Sequence, residues 1–105
     1  MLRAQLDHII GQVLDFAPET SDILFAAHKR LQAEVHGRLV DVPLRPELRV
    51  LTPFQTESVA LALMGANRRV YRDLLTHGSC DLAYQLLGRA RFRVNIFSQR
   101  GSFSI

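Results

Sequence analysis

The arginine-rich segment near the end of the chain is the first feature whose residue types could support chemistry. Residues 82–105 contain four arginines, Arg89, Arg91, Arg93 and Arg100, and no acidic residue. The first three alternate along the chain, so they share one face if this segment is a β-strand. Aligned guanidinium groups bind phosphate or carboxylate through paired hydrogen bonds. A solvated strand face, or an edge that repels other strands, would show the same pattern, so the residues alone leave both interpretations open.

Other catalytic and ligand-binding motifs are missing from the sequence. The single lysine, Lys29, has no glycine-rich neighbourhood, and the six glycines are scattered, which excludes a P-loop and a dinucleotide fingerprint. His77 and Cys80 are spaced like two metal ligands, but no second pair accompanies them. We therefore interpret them as a helix-end histidine and a buried cysteine. These 105 residues are predicted to lack a catalytic site, a metal and a cofactor of their own.

Length and composition indicate one small domain over residues 1–105. The 48% hydrophobic content is ordinary for a globular protein, and the length supports a single core. No run of about 18 apolar residues is present, the N-terminus lacks the apolar segment of a signal peptide, and one cysteine cannot form an internal disulfide. These features predict a cytoplasmic protein.

The first half of the chain should begin with a helix over residues 2–16, because its apolar residues repeat at helical spacing. Pro18 ends that helix. A short buried strand is expected over residues 22–27. The alternation from Leu31 to Val35 predicts a strand that pairs with residues 38–42 across a turn at His36-Gly37.

Two further helices are predicted from their capping residues. Thr52, Pro53 and Gln55 have the order of an N-cap, a first helical position and a capping box. A third helix over residues 68–76 should begin after Asn67 and end before Gly78. Its inward-facing residues are expected to be Val70, Leu74 and Leu75.

The last third of the chain should be β-structure. Residues 80–86 and 90–96 alternate between apolar and polar positions around a turn at Gly88, and another strand begins at Ser102. Phe92 and Val94 should cover the core while the arginines occupy the other face. The order of elements predicts an α+β fold with about six mostly antiparallel strands and about three helices on one face of the sheet.

Four segments resemble the type IV pilus retraction, or twitching-motility, ATPases of the secretion ATPase superfamily. The run from Arg91 to Ser102, RFRVNIFSQRGS, is similar to their RFRVNxFxQRGS segment. Residues 21–25 resemble their SDLHL strand, residues 35–39 their V-x-G-x-L, and residues 51–53 their usual helix start. The resemblance runs in order over about residues 4–105.

The resemblance implies that the chain is the PAS-like N-terminal domain of a hexameric motor ATPase whose RecA-like domain is not within these residues. In such proteins ATP and Mg²⁺ are bound between the two domains, and arginines of the N-terminal domain reach the phosphates. By position in the motif, Arg93 is the first candidate for a phosphate contact, followed by Arg91 and Arg100. The implied partners are RecA-like domains of the same and neighbouring subunits and a pilus platform protein of the inner membrane, with no specific nucleic acid.

Two alternative functions have different requirements. A free-standing basic α+β domain that binds nucleic acid would need exposed aromatic residues beside its arginines, and only Phe97 shares their face. A PAS-type sensor of small ligands would need a pocket, for which the sequence offers no distinctive residue.

Overall fold

The computed structural model describes residues 1–44, 50–99 and 101–105, which contain three α-helices and six β-strands. In chain order the elements are α1 (Arg3–Phe16), β1 (Thr20–Leu24), β2 (Gln32–Val35), β3 (Arg38–Asp41), α2 (Pro53–Met64), α3 (Arg68–His77), β4 (Ser79–Leu86), β5 (Ala90–Gln99) and β6 (Ser102–Ser104). The α+β prediction and the order of the elements are confirmed.

The strands form two antiparallel sheets of three, in the orders β1-β2-β3 and β4-β5-β6. The sequence predicted about six strands in one sheet, so the antiparallel pairing is confirmed but the single sheet is not. The physical reason lies in β6, which pairs with β5 over only three residues. Towards the first sheet, β6 forms an isolated bridge between its Ser104 and Ala26, which lies just after β1, and this bridge does not join the two sheets into one.

Helix ends follow the capping chemistry that the sequence predicted. The Thr52 hydroxyl accepts a hydrogen bond from the backbone N–H of Gln55 at 3.1 Å, and the Gln55 side chain accepts one from the Thr52 N–H at 2.8 Å. The Asn67 side chain caps α3 by accepting from the Val70 N–H. Gly78 ends α3 with a φ of 77°, a left-handed conformation that suits glycine.

One core holds the helices and both sheets together. Its buried side chains come from every helix and from five of the six strands or the residues beside them, and include Leu6, Ile10, Val13, Val59, Ala60, Leu63, Val70, Leu74, Ala33, Tyr84, Val94 and Ile96. Burial of such side chains removes apolar surface from water and supplies the main free energy of folding. The apolar face of the arginine strand therefore contributes to this core, as predicted.

Two details differ from the sequence-based expectation. Leu75 was expected to face inward, but it is 71% exposed. Adjacent helical residues are rotated by about 100°, so Leu74 and Leu75 cannot both face one core, and Leu74 takes that position. The first strand spans Thr20–Leu24 rather than residues 22–27, and its antiparallel pairing with β2 ends at Leu24, which faces Gln32.

Candidate functional site

The outward face of β5 carries the candidate site. Arg91, Arg93 and Asn95 are exposed there, whereas Val94 is buried and Phe92 packs against the core. Pairing with β4 places Arg93 opposite Ala83. Because an alanine opposite the arginine leaves space beside its guanidinium group, an external ligand has access to it.

Neither Arg91 nor Arg93 forms an ion pair with another residue that the structure describes. The salt bridges within that part of the chain are His36–Glu19 and Arg89–Asp15. Two exposed guanidinium groups on adjacent outward positions of a paired strand can donate hydrogen bonds to an oxyanion from outside the domain. The arrangement is thus suited to phosphate or carboxylate.

An acidic residue shares this face, which the linear sequence did not suggest. Asp81 is exposed on β4 directly opposite Asn95, one position diagonal from Arg93. Its carboxylate makes the face less positive than the acid-free run of residues 82–105 implied. Any anion is therefore expected to sit towards Arg91 and Arg93, away from Asp81.

Arg89 does not belong to the arginine face, contrary to the prediction that three arginines form a ladder. It lies in the turn before β5, where its Nη2 is 2.9 Å from Asp15 Oδ1 and its Nη1 donates to the Gly11 carbonyl at 3.3 Å. Arg89 fastens the β4–β5 turn to α1. The third candidate phosphate ligand, Arg100, lies outside the residues that the structure describes.

A groove of about 710 Å³ separates the arginine strand from β1. Arg91, Arg93 and Asn95 lie on one side of it, and Asp22 and Glu34 lie on the other. Asp22 and Glu34 are paired across β1 and β2. A hydrogen bond from the Glu34 side chain to Asp22 and the repulsion between the two carboxylates raise the pKa of Glu34.

Replacement of Glu34 should reveal this carboxylate repulsion. A carboxyl group whose pKa is raised by folding stabilises the fold at pH values below its unfolded pKa, and this contribution is lost as the pH rises through the folded value. We expect Glu34→Gln to melt at a higher temperature than the parent at pH 7 and at the same temperature near pH 3. Thermal melts from pH 3 to 8 measure this difference, with Glu57→Gln on the exposed face of α2 as the matched control. A lower melting temperature for Glu34→Gln at pH 7 would contradict it.

A polar cluster that the sequence did not suggest fastens α1 to β4. Tyr84 is 1% exposed, and its hydroxyl donates a hydrogen bond to Asp7. The Arg3 guanidinium lies 4.7 Å from the centre of the Tyr84 ring and its Nε donates to the same hydroxyl at 3.3 Å. Burial is the main cause that raises the pKa of Tyr84, and the hydrogen bond to Asp7 raises this pKa further. No periodicity could reveal this cluster, since Tyr84 is 77 residues from Asp7 and 81 residues from Arg3.

Cys80 and His77 have the structural roles that the sequence predicted. Cys80 is 6% exposed. Its burial is the main cause that raises the pKa of its thiol, and the nearby carboxylates of Asp81 and Asp73 raise this pKa further. The protonated thiol is a poor nucleophile and a poor metal ligand. His77 is the last residue of α3.

Comparison with known proteins finds a relative in sequence and three solved structures with a similar fold. Over 80 residues, which are 76% of this chain, it is 34% identical to the type IV pilus ATPase PilU of Pseudomonas aeruginosa. The chain belongs to the type IV pilus secretion ATPase family. It corresponds to the N-terminal domain of such an ATPase. The matched residues span only 19% of PilU, about a fifth of that relative. No family model matches the chain.

The fold of this domain recurs in three solved structures. The pilus retraction motor PilT with bound ADP matches it at a TM-score of 0.79 and 24% identity, covering 94% of this chain and 27% of that one. The ATPase DotB of Legionella pneumophila matches at 0.72 and 22% identity, covering 99% and 28%, and DotB of Yersinia pseudotuberculosis matches at 0.71. In the described part of this domain, no helix is long and apolar enough to cross a membrane.

Proposed function

We propose that this chain is the N-terminal regulatory and oligomerisation domain of a hexameric type IV pilus retraction ATPase. In this proposal it packs on the RecA-like domains of its own and the neighbouring subunit and supplies arginines to the nucleotide phosphates. The observation that carries the proposal is that Arg91 and Arg93 are exposed and form no ion pair with a described residue, on a strand of a chain that is 34% identical over 80 residues to a type IV pilus ATPase.

The geometry explains what these arginines would contribute to phosphate binding. Pairing with β4 along the whole of Ala90–Phe97 fixes the backbone that carries Arg91 and Arg93. A fixed backbone limits the entropy lost when the side chains bind, and a planar guanidinium can hold two phosphate oxygens at once. The described residues contain no group of three His, Cys, Asp or Glu that could hold a metal ion. The proposal assigns ATP's Mg²⁺ to the RecA-like domain, as the resemblance implies, and only phosphate contacts to this one.

The remaining parts of the proposal concern location and assembly. The proposal also includes a PAS-like arrangement with the helices on one face. It places the protein in the cytoplasm beside the inner membrane, in contact with a pilus platform protein. They are supported by the similarity to PilU and by the fold shared with the pilus retraction motor PilT. Arg100 remains a candidate third phosphate contact by its position in the RFRVNIFSQRGS segment.

The isolated chain should not hydrolyse ATP, whereas a protein that joins it to a RecA-like domain should form hexamers and hydrolyse ATP. Phosphoryl transfer needs a cradle for the phosphates, a bound Mg²⁺ and a positioned water, and the sequence has no P-loop. Phosphate release and native mass measured on both proteins test this expectation. ATPase activity that co-purifies with the isolated chain through successive purification steps would reject this expectation. A longer protein that neither assembles nor hydrolyses ATP would also reject it.

The two alternative functions receive less support from the structure. On the arginine face of β5, the described aromatic residue is Phe97, half exposed, while Tyr84 and Phe92 turn to the core, so few platforms exist for base stacking. A mostly apolar cavity of about 530 Å³ lies between α1 and α2. Among its polar lining residues, Gln5 and Gln55 already use their amide oxygens to cap the two helices. Neither feature favours a nucleic-acid or sensor function over the proposed one.

A further inference from the structure

The solvent sides of the two sheets lie on the same side of the domain. Ser104 of β6 pairs with Phe97 of β5 and bridges Ala26, and both contacts are antiparallel. Residues paired across strands point to the same face, so Phe97, Ser104 and Ala26 share one. Because side chains alternate along a strand, Asp22 and Arg93 point to that face as well. We call this common surface, which includes the arginine face of β5, the sheet face.

Opposite charges lie level with one another on the sheet face. Ala26 and Phe97 both pair with Ser104, so β1 and β5 run in the same direction with these two residues level. Counting back by the same number of residues along each strand brings Asp22 level with Arg93. At Ser104 a single strand separates β1 from β5, which corresponds to a distance of about 10 Å between them.

Each side of the groove thus has two charges of one sign. Glu34 pairs with Asp22 on the β1 side, and Arg91 accompanies Arg93 on the β5 side. None of the four side chains forms an ion pair with another described residue. The carboxylates of Asp22 and Glu34 instead repel each other. Two adjacent strips of opposite sign fit a partner that presents the same strips in the reverse order.

A second copy of this chain presents that reverse order by symmetry. A two-fold axis along the groove, parallel to the strands, turns the second copy to face the first and exchanges left and right. It causes no shift along the strands, so Arg93 of each copy lies opposite Asp22 of the other, and both contacts form at once. A two-fold axis across the groove would set arginine against arginine. Charge therefore selects one of the two face-to-face arrangements.

Apolar side chains and the size of the domain indicate how strong such a contact can be. Leu39, opposite Glu34 in the first sheet, is 54% exposed, and Phe97 is 50% exposed. A stable interface buries about 800 Å² per partner. The domain measures only 36 × 30 × 27 Å, so most of the sheet face would have to be covered to reach that area. We expect a reversible dimer that weakens as salt screens its charges.

We propose that the sheet face binds the sheet face of a second copy about this axis, with Arg91 and Arg93 of each copy against Asp22 and Glu34 of the other. The inference rests on the charges and register of this surface. It depends neither on nucleotide binding nor on a RecA-like domain.

Charge reversal at the two level positions tests the proposal. Asp22→Arg and Arg93→Asp each place like charges opposite one another in both contacts, so each variant alone should lose the dimer at concentrations where the parent associates. An equimolar mixture of the two should dimerise again, because every contact then joins a positive side chain to a negative one. Sedimentation velocity from micromolar to millimolar protein measures the association, and thermal melts show that each variant is folded.

Two matched controls change the net charge by the same amounts elsewhere. Glu57→Arg on α2 and Arg72→Asp on α3 lie on exposed positions of helices that pack on the inner side of the sheets, so each variant should associate like the parent. The proposal would be overturned if these controls lost the dimer too, if Asp22→Arg kept it, or if the mixture of Asp22→Arg and Arg93→Asp stayed monomeric.

The unmodified chain provides a measurement that does not depend on how the variants fold. Its dimer should dissociate more readily as the salt concentration rises, with a dissociation constant that increases by about tenfold or more between low and high salt. A parent chain that is monomeric at every concentration would overturn the proposal, and so would a dimer that salt leaves unchanged or strengthens.

Discussion

In the proposed ATPase that joins this domain to a RecA-like domain, the Arg93→Ala variant should hydrolyse ATP about ten- to a hundredfold more slowly than the parent. A charge-assisted hydrogen bond is worth about 1.5–3 kcal/mol, and each 1.36 kcal/mol of lost transition-state stabilisation slows a reaction about tenfold. The loss appears in kcat if the contact strengthens as charge develops on the transferred phosphoryl group. Folding should change little, because Arg93 is exposed and forms no ion pair with a described residue. Steady-state phosphate release and thermal melts measure the two effects.

Two variants make the result for Arg93 interpretable. Arg93→Lys should restore turnover only in part, because a single ammonium group cannot reproduce the two-pronged contact of a guanidinium. Arg72→Ala removes an exposed arginine of α3, far along the chain from the arginine face, and should leave turnover unchanged. If Arg93→Ala turns over ATP at the parental rate with an unchanged melting temperature, Arg93 has no phosphate role and the arginine face is only solvated.

The largest loss of stability is expected from Tyr84→Ala. Tyr84 is among the largest fully buried side chains of the domain, and removal of a buried aromatic ring costs about 3–5 kcal/mol through lost transfer energy and a cavity. The variant also loses the contacts of the ring and hydroxyl with Arg3 and Asp7. The total free energy of unfolding of a small domain is about 5–15 kcal/mol, so we expect the melting temperature to fall by more than about 10 °C. Urea and thermal unfolding of the isolated chain measure it.

Tyr84→Phe separates the contribution of the hydroxyl from that of the ring. It retains the core packing and the ring contact with Arg3 but removes the hydrogen bond to Asp7, so we expect a cost of about 1–2 kcal/mol. Leu87→Ala is the control for an apolar side chain in the same region, because Leu87 is 84% exposed and its removal should cost little. A Tyr84→Ala variant as stable as Leu87→Ala would show that the polar cluster and its ring do not hold α1 to β4.

Local patterns of the sequence predicted the type and order of the elements and, apart from Leu75, the side that the helices and the arginine strand present to the core. Thr52 with Gln55, and Asn67 with Gly78, mark helix ends because caps are satisfied within three or four residues along the chain. The alternation around Phe92 and Val94 fixed the outward face of Arg91 and Arg93, since side chains of a strand have a period of two. At Leu75 the apolar residue type was misleading, because helix geometry allowed only its neighbour Leu74 to enter the core.

The tertiary structure alone decided which charges accompany the arginine face. Strand register brought Asp81 onto that face, the approach of β1 and β2 brought Asp22 and Glu34 across the groove, and the contact with α1 removed Arg89 from it. Packing of α1 formed the contacts between Arg3, Asp7 and Tyr84. Tyr84 is 77 residues from Asp7 and 81 residues from Arg3, so no local spacing encodes these contacts. The sequence determined the periodic and capped elements because their energetics are local, whereas register and packing, which depend on the whole core, determined what surrounds the candidate phosphate ligands.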